Sequence, residues 1–326
     1  MRTYLKISAL ITISSLALFT ACKQDDADLL NGSADSYSGI YMPQAVITPK
    51  AFAYTISAVP ETIIYGANFG GPVSNNEEIK VSFQADPAMV GAYNTAHFTN
   101  YTLLPEGSYL LEQVNSVIPS GKLATPPLKL SVYTDKLDGV GGYLLPVTVQ
   151  STGSRYTVKE ALKTTYFLVS ASYASNPFTN FDRTNWVITG FSSQEAVGEG
   201  VANGRAIYVL DGSTATFWTT DWKTTRPGPP HYITMDMGAT QKIHGFKIIG
   251  RIVSGAPRTT GNPRDIVVQT GNDGVNWLYS QSFSLTNQAE ETIYLDYFQN
   301  ARYFKITINS SISDNYLTHI SELNAF

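Results

Sequence analysis

The 326-residue chain carries 22 Lys and Arg against 26 Asp and Glu, with charged residues at only 15% and aromatics, 20 of them Tyr, at 12%. Setting aside Arg2 and Lys6 leaves 20 basic against 26 acidic residues, a net charge of −6, which excludes the basic footprint of a nucleic-acid groove. A charge-poor, Tyr-rich chain suits β-structure and polar, aromatic recognition surfaces.

Residues 1–21 read as a targeting segment. Arg2 and Lys6 form its positive end, and Ile7 to Thr20 is apolar but too short to span a bilayer. Phe19-Thr20-Ala21-Cys22 places small residues before the single cysteine of the chain, so no intrachain disulfide is possible. This pattern resembles the lipobox of bacterial lipoproteins, which implies lipidation of Cys22 and a membrane anchor. Residues 22–35 read as a polar tether, and Asp25-Asp26 resembles the surface-export signal of Bacteroides-type lipoproteins. The resemblance implies an outer-membrane lipoprotein facing the cell exterior.

Residues 36–173 are expected to form a first β-sandwich domain, immunoglobulin-like in class. Ile79, Val81 and Phe83 alternate with polar residues, as do Leu128, Leu130 and Val132, then Leu145, Val147 and Val149. Each run has the period of two of a half-buried strand. Pro and Gly clusters separate them, including Gly139 to Gly142. Asp86 to Asn94 is the one helical stretch, with Asp86 placed to cap it. Glu77-Glu78 reads as a solvated strand edge and His97 as a loop residue. Tyr41-Met42-Pro43-Gln44-Ala45, Tyr93-Asn94 and Tyr101 to Glu106 resemble a lipoprotein-associated domain of unknown function that opens many Bacteroides-type surface lipoproteins.

Residues 174–177 are the linker, and residues 178–326 form a second domain, again all-β. Tyr232 to Met237, Lys242 to Ile249, Arg264 to Gln269, Glu291 to Tyr297 and Arg302 to Asn309 are predicted strands. Asn272-Asp273-Gly274 predicts a hairpin, because these residues tolerate the positive φ of tight turns. Trp218 and Trp277 are expected in the core. Between Ile207 and Trp222 an apolar run breaks at Asp211-Gly212, followed by Ser213 to Thr216. Read by itself, that stretch is either an Asx-turn closing two strands or a cluster of hard oxygen donors of the kind calcium selects.

The order of Trp186, Leu210-Asp211-Gly212 with Thr216 and Trp218, Met235-Asp236-Met237-Gly238, Gly245-Phe246 with Arg251, Asn272-Asp273-Gly274 with Trp277, Arg302-Tyr303 and Ile320 to Leu323 resembles discoidin, or coagulation factor 5/8 type C, domains. The resemblance implies a discoidin-type jelly roll similar to family 32 carbohydrate-binding modules, and binding in place of catalysis. It further implies one structural Ca²⁺ held by Asp211, Thr216 and Glu322 with carbonyls around Tyr208 and Ser213. Ser213 departs from the Asp or Asn of many members. A ligand would sit in loops at one end of the sandwich, on Arg251, Asn262 and Tyr316, with Trp222 and His231 flanking the Thr224-to-Pro230 loop.

The expected function is a non-catalytic cell-surface lipoprotein that captures polysaccharide or glycoprotein glycans for an uptake and degradation system, beside transporter and glycosidase partners. The alternative is a structural or protein-interaction lipoprotein of an outer-membrane assembly. The acidic residues offer no facing pair such as glycoside hydrolysis requires.

Overall fold

The computed structural model describes residues 34–46, 49–151 and 153–326. The targeting segment, Cys22 and most of the tether lie outside the described residues. Among those that are described, no helix is long and apolar enough to cross a membrane. The chain is mostly β, in two sheet-based domains.

In the first domain the main sheet runs in the order Lys50–Thr55, Thr164–Ser172, Tyr143–Ser151, Ile79–Ala85, Asn115–Ile118. A three-stranded sheet, Glu61–Tyr65, Leu128–Val132 and Tyr109–Leu111, faces it. Alternation decides the faces as expected: Ile79, Val81 and Phe83 are buried, while Lys80 and Gln84 are exposed. Burying each such apolar side chain contributes about 1.5–3 kcal/mol. Two pairings depart from a purely antiparallel sandwich: Thr102–Leu103 runs parallel to the start of Tyr143–Ser151, and a longer one lies at the edge. Lys50–Thr55 runs parallel to Thr164–Ser172 at the sheet edge, a geometry the long intervening chain permits. Tyr143 to Val149 is also buried at every residue, not at alternate ones. Its inner face meets the core, and the Tyr143 ring meets Tyr297 of the second domain edge-on at 5.5 Å.

The helix spans Ala88–His97, with Pro87 at its N-cap and no side-chain cap bond. Asp86 therefore does not cap it; the Asp86 N–H donates to the Pro146 carbonyl at 2.9 Å instead. His97 closes the helix and stacks on Tyr93 at 4.2 Å, so it is not a loop residue. Glu78 is exposed, and Glu77 accepts a hydrogen bond from Ser154 at 2.7 Å.

The second domain orders its sheet as Val187–Phe191, His231–Ile249, Glu291–Ser311, Pro263–Gly271, Tyr279–Ser284. The predicted strand pairs Tyr232–Met237 with Lys242–Ile249, and Glu291–Tyr297 with Arg302–Asn309, are each one long strand, bent and not broken. Register shifts between Asp236 and Gln241 and between Ile243 and Gly245 absorb the bend. Glu322–Ala325 pairs with the far half of His231–Ile249. At that crossing a Cβ on Gly245 would lie 2.1 Å from the Ile293 carbonyl, so only Gly permits the approach. Trp218 is fully buried, its indole N–H donating to Ser193 O at 2.9 Å. Trp277 is only half-buried, beside the Asn272-Asp273-Gly274 turn, which corrects its expected place in the core.

The domains meet through backbone. The Val140 and Gly141 N–H groups donate to the Leu295 and Asp296 carbonyls at 3.3 and 2.9 Å, and the Phe298 N–H donates to the Asp138 carbonyl at 2.5 Å. Tyr297 Oη donates to the Gly142 carbonyl at 3.0 Å. A Cβ on Gly139, whose φ is +151°, would meet the Asp296 carbonyl at 2.1 Å. In the connecting segment Tyr173 packs edge-on against Phe178 at 5.3 Å and tilts over Tyr294 at 4.9 Å.

Candidate ligand and cation sites

At one end of the second sandwich the loops are tied by a carboxylate. Glu195 is 3% exposed and accepts the N–H groups of Val197, Gly198 and Lys223 at 3.1, 2.7 and 3.0 Å. Burial pushes its carboxyl up, but these donated bonds outweigh that and hold it below the ordinary value. The Trp222 indole lies on Gly198, where a Cβ would come within 2.7 Å of the ring. Its Nε1 donates to Glu199 Oε1 at 3.0 Å. The other Glu199 oxygen is 3.5 Å from Arg251 Nη1, and the Arg251 guanidinium lies over the Phe217 ring at 3.9 Å. Beyond Trp222, Arg226 Nε donates to the Trp222 carbonyl at 2.6 Å, and the Arg226 guanidinium reaches the Tyr316 ring at 5.8 Å.

The structure therefore brings Arg251, Trp222 and Tyr316 onto one continuous network, each half-buried. Two other expected ligand contacts are turned inward. Asn262 is 2% exposed; its Oδ1 accepts the Arg251 N–H at 2.8 Å, and its Nδ2 donates to Asn287 Oδ1 at 2.9 Å and to the carbonyls of Arg251 and Arg258 at 3.3 Å. It braces the loop that presents Arg251. His231 is 1% exposed, with Nε2 against the Tyr316 carbonyl at 2.9 Å, and it fixes the Tyr316 loop from beneath. In both cases this departs from the expectation of ligand contact, because a loop polar residue can satisfy buried backbone groups equally well. Glu199, Phe217 and Arg226 join this network although the sequence does not mark them as site residues. None carries a spacing signal, since contacts between loops leave no periodic trace.

The oxygen-rich turn forms a second cluster. Asp211 Oδ1 accepts the Ser213 N–H at 2.9 Å and Oδ2 accepts the Thr216 hydroxyl at 2.6 Å, which also lies 3.0 Å from the Ser213 carbonyl. Glu322, 4% exposed, accepts the Gly212 N–H on Oε1 at 2.7 Å and Arg183 Nη1 on Oε2 at 2.6 Å. Arg183 Nη1 also reaches the Val209 and Leu323 carbonyls, both at 3.1 Å. Burial raises the Glu322 carboxyl above its ordinary value; Arg183 and the Gly212 N–H oppose the shift, while the adjoining Asp211 carboxylate adds to it. Two carboxylates turned toward one another beside the Ser213 carbonyl and Thr216 hydroxyl suit a hard cation. Ser213 offers its carbonyl to this cluster, while its hydroxyl accepts the Ala215 N–H at 3.2 Å. The Tyr208 side chain points elsewhere, donating to the Val201 carbonyl at 2.8 Å. Among the described residues no three His, Cys, Asp or Glu side chains gather as a metal site.

A family model described as the F5/8 type C domain matches residues 189–323, and one described as an N-terminal domain matches residues 36–155. The second domain is thus a discoidin-type jelly roll of the F5/8 type C class. The chain is 28% identical over 191 residues to a sialidase of Micromonospora viridifaciens, covering 56% of this chain and 27% of that protein. It is 31% identical over 151 residues to a galactose oxidase of Gibberella zeae, covering 44% of this chain and 20% of that protein. The chain therefore spans about a quarter of the length of the curated relatives it matches. Among solved structures, the C-terminal domain of a chitobiase from Bacteroides fragilis is 29% identical with a TM-score of 0.40, covering 45% of this chain and 97% of that one.

Proposed function

We propose that the protein is a non-catalytic glycan-binding lipoprotein, anchored through Cys22 to the outer membrane and facing the cell exterior, that captures polysaccharide or glycoprotein glycans for neighbouring transporter and glycosidase partners. The observation that carries it is the half-buried network of Trp222, Glu199 and Arg251, resting on buried Phe217, at the loop end of an F5/8 type C jelly roll. A sugar presents apolar C–H faces and hydroxyls, and this end offers aromatic surface beside fixed polar groups. Curated relatives named for reactions on sugars support the reading, over the part of each that matches. A glycan array probed with residues 36–326 tests it; saturable binding to a glycan class, lost in Arg251→Ala, is the expected result. Array silence would favour the second reading, an assembly component. A largely apolar depression of about 390 Å³ lined by Trp186, Ile188 and Ala206 with Gln194 and Arg205, and with Val187, Phe191 and Ile207 exposed around it, favours that second reading.

A calcium ion is part of the proposal. Asp211, Thr216, Glu322 and the Ser213 carbonyl would hold it, and it would supply positive charge that joins the turn to the C-terminal strand. Arg183 already delivers one positive charge to the far oxygen of Glu322. The share carried by each is a measurable question.

A further inference from the structure

Between the two domains lies a cleft of about 360 Å³ that neither the loop-end site nor the calcium reading involves. It is lined by Tyr101, Tyr279 and Tyr297 together with Asn100, Gln281 and Asp296, beside Gly142 and Ser280. The interface makes this space: Tyr297 is pinned by its bond to the Gly142 carbonyl, and Tyr101 packs on Gly142, where a Cβ would lie 3.0 Å from the ring. Gln281 is oriented by two donors, Tyr279 Oη at 2.5 Å and the Asp296 N–H at 2.9 Å, which occupy its amide oxygen. Its NH₂ is left for the Asp296 carboxylate, whose pKa burial raises and this single amide bond only partly restores. Among the described residues no ion pair engages Asp296.

We propose that this inter-domain cleft is a second binding site, for one ring of a neutral, polyhydroxylated sugar. Tyrosine faces cover apolar C–H surface, and a carboxylate without a cation accepts hydrogen bonds from hydroxyls. The lining has one acid and no base, so an anionic ligand is disfavoured. An ammonium ion would use the rings and the carboxylate but leave the amide of Asn100 unmatched, whereas sugar hydroxyls both give and accept. The volume is that of a small pocket, enough for one ring and not for a folded partner.

The test titrates galactose, N-acetylgalactosamine and glucose into the two-domain protein and follows backbone amide shifts. At least one sugar should move Asn100, Tyr101 and Ser280 saturably. Asp296→Asn should weaken that response tenfold or more, and Asn100→Trp, at an exposed position of the lining, should block it sterically without touching the interface bonds. Arg251→Ala should leave it unchanged. Cleft shifts that persist while the Trp222 and Arg251 amides never respond would sink the loop-end reading and spare this one. Loop-end shifts without cleft shifts for all three sugars would overturn it, as would equal affinity in both cleft variants. Saturation by tetramethylammonium but by no sugar would overturn it in favour of a cation cage.

Discussion

Arg251 has two duties, and they pull its mutational signature in two directions. Its guanidinium on Phe217 contributes about 0.5–2 kcal/mol as a cation–π contact, and in the proposed site its N–H groups would donate to a ligand. Arg251→Ala is expected to lower the melting temperature and to reduce glycan binding about tenfold, or about 1.4 kcal/mol. Tyr316→Ala, in an exposed loop, should reduce binding similarly with less than about 0.5 kcal/mol lost in stability. Paired calorimetric titration and thermal melts check both; undiminished affinity in both variants would move the site. His319 gives a second residue-scale expectation. It is wholly buried beneath Phe217, and burial, then the nearby Arg258 and Arg251 charges, hold its pKa down to about 3. An unfolded histidine titrates near 6.5, so between about 6.5 and 3 the unfolded state binds the extra proton. The stability present above that window is lost as pH falls through it. Urea midpoints for wild type should therefore fall below pH 6.5, and more steeply than for His319→Asn.

At the scale of elements, the turn Asp211–Gly212 and the strand Glu322–Ala325 are joined by a carboxylate, a guanidinium and the proposed ion. A ligand that binds only the folded state stabilises it by about 2.7 kcal/mol at a hundredfold excess over Kd. Chelation should lower the melting temperature of the protein, and Asp211→Ala should abolish that sensitivity. If chelator changes nothing while Arg183→Met destabilises strongly, the guanidinium alone balances Glu322. Much of this element was legible: an Asp-Gly break after an apolar run and a Glu near the C-terminus stand in a recognisable order. Arg183 was not, because nothing in Asp182-Arg183-Thr184 announces a partner so distant in the chain. Strand identity was legible wherever one face meets solvent, as at Ile79, Val81 and Phe83. It blurred where bulges let a strand bend without ending, so two long strands were read as four.

At the scale of the molecule, the two domains share backbone hydrogen bonds and a Tyr143–Tyr297 contact, so they should unfold together. Gly139→Val would force a side chain into the Asp296 carbonyl. It is expected to split one calorimetric transition into two; a single unchanged transition would show the interface to be energetically idle. The Gly139-to-Gly142 cluster read in sequence only as punctuation, because contact between two loops has no periodicity. Anchoring is tested at this scale too: Cys22→Ala should release the protein from membranes and abolish fatty-acid labelling, and unchanged fractionation would refute the anchor.

The long strand Glu291–Ser311 has a further consequence. Near one end, Asp296 to Phe298 grips the first domain; at the other, Ser311 adjoins the loop that carries Tyr316. The strand's first residue, Glu291, pairs with Ile248, three residues before Arg251. At about 3.3 Å per residue, roughly 17 Å of strand separates Asp296 from the Arg251 side, and roughly 45 Å of bent contour separates Phe298 from Ser311. The loop-end network therefore lies at the two ends of a bent strand that the first domain grips in between. If Cys22 anchors the protein as proposed, cargo held there would sit on the far side of the junction's contacts and would not share the gripped stretch of strand with the first domain.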